Sequence, residues 1–164
     1  MGGQGSEKNR QNQNRVYFSA GLHGEIRDLC ALHWPEETCG LLIASKAVPD
    51  RIQRVVVARN VADEPQKTFE IDPQTLIDTH RTVRETGEEI VGCFHSHPNG
   101  NALPSNTDRD RADEHAFLWL IIATNHTGAL ASGMYRIMHQ KMIDADSGEN
   151  IRYFQRCKLI EQDI

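Results

Sequence analysis

Apolar side chains recur along the chain at the spacings of both helices and strands. Leu22, Ile26 and Cys30 follow one another at four-residue intervals, which places them on one face of a helix. We expect this helix to begin after a Ser19 cap, because a serine hydroxyl can accept a backbone N–H of the first turn. Pro35 marks its end, since proline lacks the N–H that would continue the helix.

Shorter apolar runs, several of them rich in β-branched residues, predict strands. The predicted strands cover residues 16–18, 38–45, 51–58, 67–71, 89–95, 117–124, 130–138 and 150–158. The segment KAVPD at residues 46–50 is a turn signal. The second and third strands are therefore expected to pair as a hairpin.

Two further helices are predicted between these strands. Asp72 and Pro73 are typical of a helix start, with aspartate as the N-cap and proline in the first turn. This helix is expected to run to about Glu85 and to stop at Gly87. A charged helix is expected over residues 105–115. The order of elements favours the α/β fold class, with a mixed sheet of six or more strands flanked by helices.

Length and composition predict one domain. The chain has 164 residues, which is within the size of a single domain that builds its own core. The first 15 residues, MGGQGSEKNRQNQNR, contain almost no apolar side chains, so we expect a disordered N-terminal tail over residues 1–15. Residues 16–164 are expected to form the domain.

Charge and cysteine content narrow the classes of function. Lys and Arg number 18 against 23 Asp and Glu, a net charge of −5, and no basic stripe is present, so no nucleic-acid partner is expected. No apolar run reaches the roughly 18 residues of a membrane span, so no membrane partner is expected either. The cysteines are widely separated, which indicates reduced, buried thiols of a cytoplasmic protein. They are Cys30, Cys39, Cys93 and Cys157.

The stretch CFHSHPNGNALPSNTD at residues 93–108 carries the candidate chemistry. Successive side chains of a strand point to opposite faces, so His95 and His97 share a face at a spacing of about 6.5 to 7 Å. If the following loop returns Asp108 to them, two imidazoles and one carboxylate form a ligand set that suits Zn²⁺.

A second interpretation of the same residues needs no metal. Short histidine motifs occur often by chance without a ligand role. Ser105 and Asp108 also fit an S-x-x-D capping arrangement, in which Asp108 stabilises the first turn of a helix. Spacing alone leaves both interpretations open.

The longer pattern resembles that of a known family. His95, His97, Ser105 and Asp108 match H-x-H-x7-S-x-x-D, which is similar to the signature of the JAMM (MPN+) metalloprotease family. Glu37, within PEETCGLL, lies where that family places an upstream glutamate. A later FEID segment supports the resemblance.

The resemblance spans roughly residues 16–137 and implies a fold, a cofactor and residue roles. The implied fold is the MPN architecture, which is cytidine-deaminase-like. The implied cofactor is Zn²⁺, held by the two histidines and Asp108. Glu37 would be the general base and Ser105 the hydroxyl that steadies the oxyanion. From its neighbours alone, without the downstream motif, Glu37 would be assigned as a solvated charge at a helix-to-strand junction.

The resemblance also implies a substrate. Family members cleave peptide or isopeptide bonds after the Gly-Gly tail of ubiquitin or ubiquitin-like proteins. The connection at residues 60–66 and the region after Met134 are short, so the chain is similar to small, stand-alone prokaryotic members that process ubiquitin-like sulfur-carrier proteins. Two alternatives remain open: a metal-free scaffold of the same fold, which would have lost the ligand set, and a cell-wall or phage-type endopeptidase. The sequence does not indicate an oligomeric state.

Neighbouring residues are expected to have structural roles. Ser96 points away from the two histidines and is assigned to the core or to their support. Cys39 and Cys93 are expected to be buried thiols, because the family pattern has no ligand at either position. The remaining histidines, none with a partner at ligand spacing, are His23, His33, His80, His115, His126 and His139.

Overall fold

Seven strands and three helices make up the part of the chain that this computed structural model describes, residues 14–141 and 150–163. The helices are α1 (Leu22–Leu32), α2 (Pro73–Thr86) and α3 (Asn106–Arg111). The strands are β1 (Arg15–Ser19), β2 (Cys39–Ser45), β3 (Arg51–Ala58), β4 (Glu88–His97), β5 (Leu118–Asn125), β6 (Gly128–Lys141) and β7 (Asn150–Gln162). The predicted α/β class is confirmed.

The predicted N-terminal tail falls largely outside the described residues. Residues 1–13 are not among them, whereas β1 begins at Arg15, inside the predicted tail. Strand β1 therefore begins one residue earlier than the strand predicted over residues 16–18. No helix in the described part of the chain is long and apolar enough to cross a membrane.

The strands form a mixed sheet that closes on itself. Their order is β1-β3-β2-β4-β5-β6-β7, and β7 returns to pair with β1. The β1-β3, β1-β7 and β4-β5 pairs are parallel, and the others are antiparallel. The sequence predicts the mixed sheet but not its closure, because closure depends on the pairing of two strands from opposite ends of the chain.

One side of the sheet packs on α1. In β5, Leu118, Leu120 and Ile122 belong to a buried cluster that also contains Ile26 and Cys30 of α1. These are the side chains that the helical spacing assigned to the apolar face of α1. Each such buried aliphatic side chain stabilises the fold by about 1.5 to 3 kcal/mol relative to exposure to water.

The intervening side chains of the same strands point to the opposite side, as strand alternation requires. Trp119 and Ile121 of β5 pack there in a cluster with Phe69 and Ala112. Helix α2 covers the neighbouring part of this side, where its Val83 packs near the start of β4. The candidate metal ligands lie on this second side.

Local signals correctly predict the hairpin and α2. Strands β2 and β3 pair antiparallel around the expected turn. The Asp72 carboxylate accepts the N–H of Thr75 at 3.1 Å, with Pro73 in the first turn of α2. Gly87 ends the helix in the left-handed region, at a φ of 73°, which glycine adopts without steric cost.

The predicted Ser19 cap is wrong. Ser19 belongs to β1, and its hydroxyl donates to the carbonyl of Ile52 at 3.5 Å. Helix α1 instead follows Gly21, whose φ is 81°, and it has no side-chain cap. The strand needs Ser19 for pairing with β7, and this pairing takes precedence over the local capping signal.

The predicted strand over residues 67–71 is also wrong. Only an isolated bridge between Asn60 and Ile71 forms. The Asn60 side-chain amide donates to the carbonyls of Thr68 and Glu37, and its oxygen accepts the N–H of Glu70. These bonds occupy backbone groups that a neighbouring strand would otherwise pair, so residues 60–71 form an ordered loop.

The charged helix is shorter than predicted. It ends at Arg111 because Ala112, which is buried in the cluster around Trp119, takes an extended conformation with φ −76° and ψ 99°. Ala116, at a φ of 66°, then turns the chain into β5. Packing of Ala112 therefore ends a helix that the charged sequence would allow to continue to residue 115.

An ion pair ties β3 to β4 across the intervening β2. Arg54 donates from Nε and Nη2 to the two carboxylate oxygens of Glu88, at 2.9 and 2.6 Å. The Thr86 hydroxyl also donates to Glu88, at 2.7 Å. These hydrogen bonds, first from Arg54 and then from Thr86, lower the pKa of Glu88 to about 2.

This pair is expected to make stability depend on pH. Glu88→Gln should cost about 1 kcal/mol of unfolding free energy near neutral pH, a figure that allows for solvent screening of the pair. Because the folded-state pKa lies below the ordinary 4.5, the deficit is present above pH 4.5 and disappears as pH falls towards 2. Urea unfolding of both proteins across this pH range measures the deficit. The control is Glu64→Gln, which removes the carboxylate of an exposed ion pair with Lys67. An equal deficit at every pH would contradict it.

Candidate metal centre

The C-terminal end of β4 carries both histidines of the motif. Strand β4 extends to His97, two residues further than predicted, because it remains paired with β5 there. His95 lies opposite Cys39 of β2 and opposite Ile121 of β5. Both imidazoles are buried, with exposed fractions of 0% and 5%. Pairing on both sides fixes the backbone at His95, and pairing with β5 fixes it at His97.

The loop after β4 returns Asp108 to these rings. Ser105 caps α3, and its hydroxyl accepts the N–H of Asp108 at 3.0 Å. The Asp108 carboxylate in turn accepts the N–H of Ser105 at 2.7 Å. The capping box predicted by the second interpretation is therefore present, and it directs the carboxylate towards the histidines.

Three ligand atoms converge on one point. The Nε2 atoms of His95 and His97 are 2.9 Å apart, and each lies 3.1 Å from an oxygen of Asp108. A tetrahedral ion with bonds of about 2.0 Å separates its ligand atoms by about 3.3 Å. Among the described residues, this is the group of histidine, cysteine and carboxylate side chains placed to hold a metal ion. The capping and ligand interpretations of Asp108 are therefore compatible.

Hydrogen bonding prepares the His97 ring for a cation. Its Nδ1 lies 2.8 Å from the carbonyl of Asn101, so Nδ1 carries the proton and Nε2 offers a lone pair. His95 Nδ1 has no hydrogen-bond partner in the described chain, and the His95 ring instead stacks on Phe69, with 4.3 Å between centroids. The two Nε2 atoms and the carboxylate are therefore better arranged to bind a cation than to form a hydrogen bond between the two imidazoles.

Burial and the Asp108 charge act in opposite directions on these groups. Burial lowers the pKa of His95, which keeps that ring neutral as a metal ligand must be. Burial also opposes ionisation of Asp108, but hydrogen bonds from His95, His97 and the Ser105 N–H hold the pKa of this carboxyl well below its usual range. At His97 the Asp108 carboxylate outweighs burial and raises the pKa. The centre therefore presents a buried negative charge between two imidazoles.

Glu37 is buried beside this group, with an exposed fraction of 6%. Its N–H donates to the carbonyl of Pro65 at 2.7 Å, and its own carbonyl accepts from the Asn60 amide at 2.9 Å. Burial raises the pKa of Glu37 to about 7, with His97 lowering it and Asp108 raising it further. Glu37 is therefore not the solvated charge that its neighbours in sequence allow.

Ser96 links the Glu37 segment to the histidine strand. Its hydroxyl accepts the N–H of Thr38 at 2.8 Å, and its own N–H donates to the Thr38 carbonyl at 2.9 Å. The side chain is fully buried, on the face opposite the imidazoles. The expected supporting role of Ser96 is confirmed.

Two residues of β6, Tyr135 and Gly133, position the loop after β4 at Ala102. The sequence analysis predicts neither role. The Tyr135 hydroxyl donates to the Ala102 carbonyl at 2.8 Å. A side chain at Gly133 would collide with that same carbonyl and with the Tyr135 ring, 2.6 Å from its nearest atom. Nothing in their local sequence indicates this role, because the contact joins segments about thirty residues apart.

The cysteines remain outside the ligand group. All four are free and buried. Burial raises the pKa of Cys39 to about 12, and it raises that of Cys93 further, so both are protonated thiols at neutral pH. The six other histidines also lie outside the group, as far as the described residues extend.

Comparison with known proteins tests the resemblance to a family. The family model described as prokaryotic homologs of the JAB domain matches residues 19–137. A desampylase of Haloferax volcanii is 36% identical over 91 residues, which cover 53% of this chain and 62% of that protein. A probable TtuB-protein conjugate cleaving protease of Thermus thermophilus is 31% identical over 93 residues, 57% of this chain and 60% of that protein. The match thus spans about three fifths of the length of these two relatives.

A solved structure shares the fold. A JAB1/MPN domain protein from Archaeoglobus fulgidus superposes with a TM-score of 0.51, over 89% of this chain and all of that one, at 18% sequence identity. At this identity the likeness concerns the fold alone. The MPN architecture implied by the resemblance is confirmed.

Replacement of Asp108 tests its candidate role as a metal ligand separately from its capping role. In Asp108→Asn the amide oxygen can still accept the Ser105 N–H, so the cap of α3 should persist, but the charge that attracts a cation is lost. We expect zinc affinity, measured by calorimetric titration of the metal-free protein, to fall at least tenfold. Asp110→Asn on the exposed side of the same helix is the matched control and should bind zinc as the parent does. Unchanged affinity in Asp108→Asn would contradict the assignment.

Proposed function

Because the chain belongs to the family of prokaryotic homologs of the JAB domain, we propose that it is a JAMM-type zinc metallopeptidase. Its proposed reaction is hydrolysis of a peptide or isopeptide bond after the Gly-Gly tail of a ubiquitin-like or sulfur-carrier protein. The observation that carries this proposal is the convergence of His95, His97 and Asp108 on one point beside the buried Glu37.

His95, His97 and Asp108 are the proposed zinc ligands. Two imidazole nitrogens and one carboxylate oxygen leave a fourth position of a tetrahedral ion open, as in catalytic zinc sites. Zinc in such a site lowers the pKa of a coordinated water to about 7 and polarises a carbonyl oxygen. Asn101 and the α3 cap hold the ligands in position by the hydrogen bonds described above.

Glu37 is the proposed general base. A base is most effective when its pKa lies near the working pH, and burial raises the pKa of Glu37 to about 7. It can then take a proton from the attacking water and deliver it to the leaving nitrogen. The Asn60 amide donates to the Glu37 carbonyl and the Glu37 N–H donates to the Pro65 carbonyl, so these bonds fix the backbone of Glu37 without using its carboxylate oxygens.

Ser105 is the proposed donor to the carbonyl oxygen under attack. As a helix cap, its hydroxyl accepts the Asp108 N–H, a role that leaves the hydroxyl proton free for the substrate. One such donor can stabilise a tetrahedral intermediate by about 3 kcal/mol. Ser105 is exposed, so a substrate can reach it.

Two observations support the proposed substrate: the burial of the candidate metal ligands and the names of the relatives. A Gly-Gly tail has no side chains, so its backbone can come close to a recessed centre. The name of the Thermus thermophilus relative describes cleavage of protein conjugates, which supports a protein with such a tail as partner. Four buried free thiols support a cytoplasmic location. The complete ligand group disfavours a metal-free scaffold.

Glu37→Gln is expected to abolish turnover while zinc is retained. The amide cannot accept a proton, and loss of a general base costs about 10² to 10⁴ in rate. Cleavage of a carrier protein extended beyond its Gly-Gly, followed by mass spectrometry, measures this loss alongside zinc content. Glu36→Gln, at the exposed neighbouring position, should be unaffected. Full activity of Glu37→Gln would contradict the proposed role.

Removal of the metal is expected to abolish cleavage reversibly. Chelation by EDTA should stop the reaction, and stoichiometric Zn²⁺ should restore it. His95→Ala should neither bind zinc tightly nor respond to added zinc, whereas His33→Ala, on the exposed end of α1, should behave as the parent does. Cleavage that survives both chelation and His95→Ala would rule out the metallopeptidase proposal.

A further inference from the structure

The imidazole of His95 lacks the hydrogen bond that usually orients a metal-binding histidine. Such a histidine donates its second ring N–H to a carbonyl or carboxylate, as His97 does to the Asn101 carbonyl. His95 Nδ1 is buried and has no such partner among the described residues. The orientation of this ring therefore depends on a different interaction.

Two aromatic side chains contact the His95 imidazole. The Phe69 ring stacks on it, with 4.3 Å between ring centroids and 23° between ring planes. Trp119 makes T-shaped contacts with both rings, at 5.6 Å from His95 and 6.0 Å from Phe69. All three side chains are buried. The imidazole is thus enclosed by rings that leave it little freedom to rotate.

Three hydrogen bonds from distant side chains fix the backbone that carries Phe69. Arg111, the last residue of α3, donates from Nη1 to the Phe69 carbonyl. The Asn60 amide donates to the Thr68 carbonyl at 3.0 Å, and the Asn60 oxygen accepts the N–H of Glu70 at 3.0 Å. Residue 69 and both of its chain neighbours are therefore anchored, so the loop holds the Phe69 ring in one place.

Stacking of this kind is stronger when the imidazole carries positive charge. The face of a phenyl ring is the negative side of its quadrupole, whereas an imidazole bound to a cation is depleted of electrons. The Phe69 face therefore attracts the cation-bound form of His95 more strongly than the free, neutral ring. Burial of both rings strengthens the attraction, because electrostatic interactions are weakened less in the protein interior than in water.

We propose that Phe69 is a positioning residue of the metal centre, whose ring orients the His95 imidazole by stacking in place of a hydrogen bond to Nδ1. The inference rests on the proposed function, because it takes His95 as a zinc ligand. Phe69 raises zinc affinity in two ways: it restricts rotation of the imidazole before the ion binds, and it stabilises the charge on the imidazole afterwards. Phe69 acts on the reaction through His95 and needs no contact with the substrate.

Zinc binding by the full chain and by variants at residue 69 tests the proposal. Phe69→Leu keeps an apolar side chain but removes the aromatic ring, so zinc affinity, measured by calorimetric titration of the metal-free protein, should fall at least tenfold. Phe69→Met, whose flexible side chain adapts to the same space, should show the same loss. Phe69→Tyr keeps the ring and should bind zinc within about threefold of the parent protein.

Phe154→Leu is the matched control. The Phe154 ring belongs to the same aromatic cluster, with T-shaped contacts to Trp119 at 5.5 Å and to Tyr135 at 5.9 Å. Among the described ring contacts, none joins it to His95. Phe154→Leu should therefore lower the unfolding free energy in urea, as Phe69→Leu does, but bind zinc as the parent protein does.

Cobalt gives a second measurement that a purely structural role of Phe69 would not change. The visible absorption of Co²⁺ bound in place of zinc depends on the geometry of its ligands. We expect the Co²⁺ spectrum of Phe69→Leu to differ from that of the parent protein, because the imidazole of His95 is no longer held in one orientation. The spectra of Phe69→Tyr and Phe154→Leu should match that of the parent.

Contrary results separate this inference from the proposed function. Unchanged zinc affinity and an unchanged Co²⁺ spectrum in Phe69→Leu would overturn the role of Phe69 and leave His95 as a ligand. An equal loss of affinity in Phe154→Leu, or in Phe69→Tyr, would also overturn it, because the effect would then not depend on the ring that stacks on His95. A parent protein that binds no zinc would overturn the proposed function itself.

Discussion

The buried carboxylate of Asp108 is the constraint around which the candidate centre is organised. A charge removed from water costs several kcal/mol unless other groups compensate it. Here the Ser105 N–H and the Nε2 atoms of His95 and His97 surround the carboxylate at 2.7 to 3.1 Å. These partners come from β4 and from the start of α3, so the charge can be buried only when the intervening loop is closed. A cation bound at the same point would add the positive charge that two neutral imidazoles lack, and would so compensate the buried carboxylate.

Loop closure in turn depends on contacts with distant segments. Tyr135 and Gly133 of β6 contact the loop at its Ala102 carbonyl. The Asn60 side chain links the segment that carries Phe69 to the backbone of Glu37. The strands supply the frame and the two histidines, and the segments between strands, including the start of α3, supply the other groups with a proposed chemical role. This division is common in enzymes, where a rigid sheet positions reactive groups that lie on connecting segments.

Features that depend on local chemistry could be predicted from the sequence. The shared face of His95 and His97 follows from strand alternation, and the cap of α2 follows from Asp72 and Pro73. Other features depend on tertiary contacts. The Asn60 side chain bonds backbone groups within residues 67–71 that a strand would otherwise pair. Pairing with β7 makes Ser19 part of β1. The burial of Glu37 and the closure of the sheet likewise depend on segments far apart in the chain, which no local pattern records.

X-ray absorption at the zinc edge of the purified, zinc-loaded protein tests the central claim most directly. If the two histidines and Asp108 hold the ion, the nearest scatterers are nitrogen and oxygen at about 2.0 to 2.2 Å, with the outer-shell signal of two imidazoles. Sulfur scattering at about 2.3 Å would instead place Cys39 or Cys93 on the metal. That result, or the absence of stoichiometric zinc, would contradict the account.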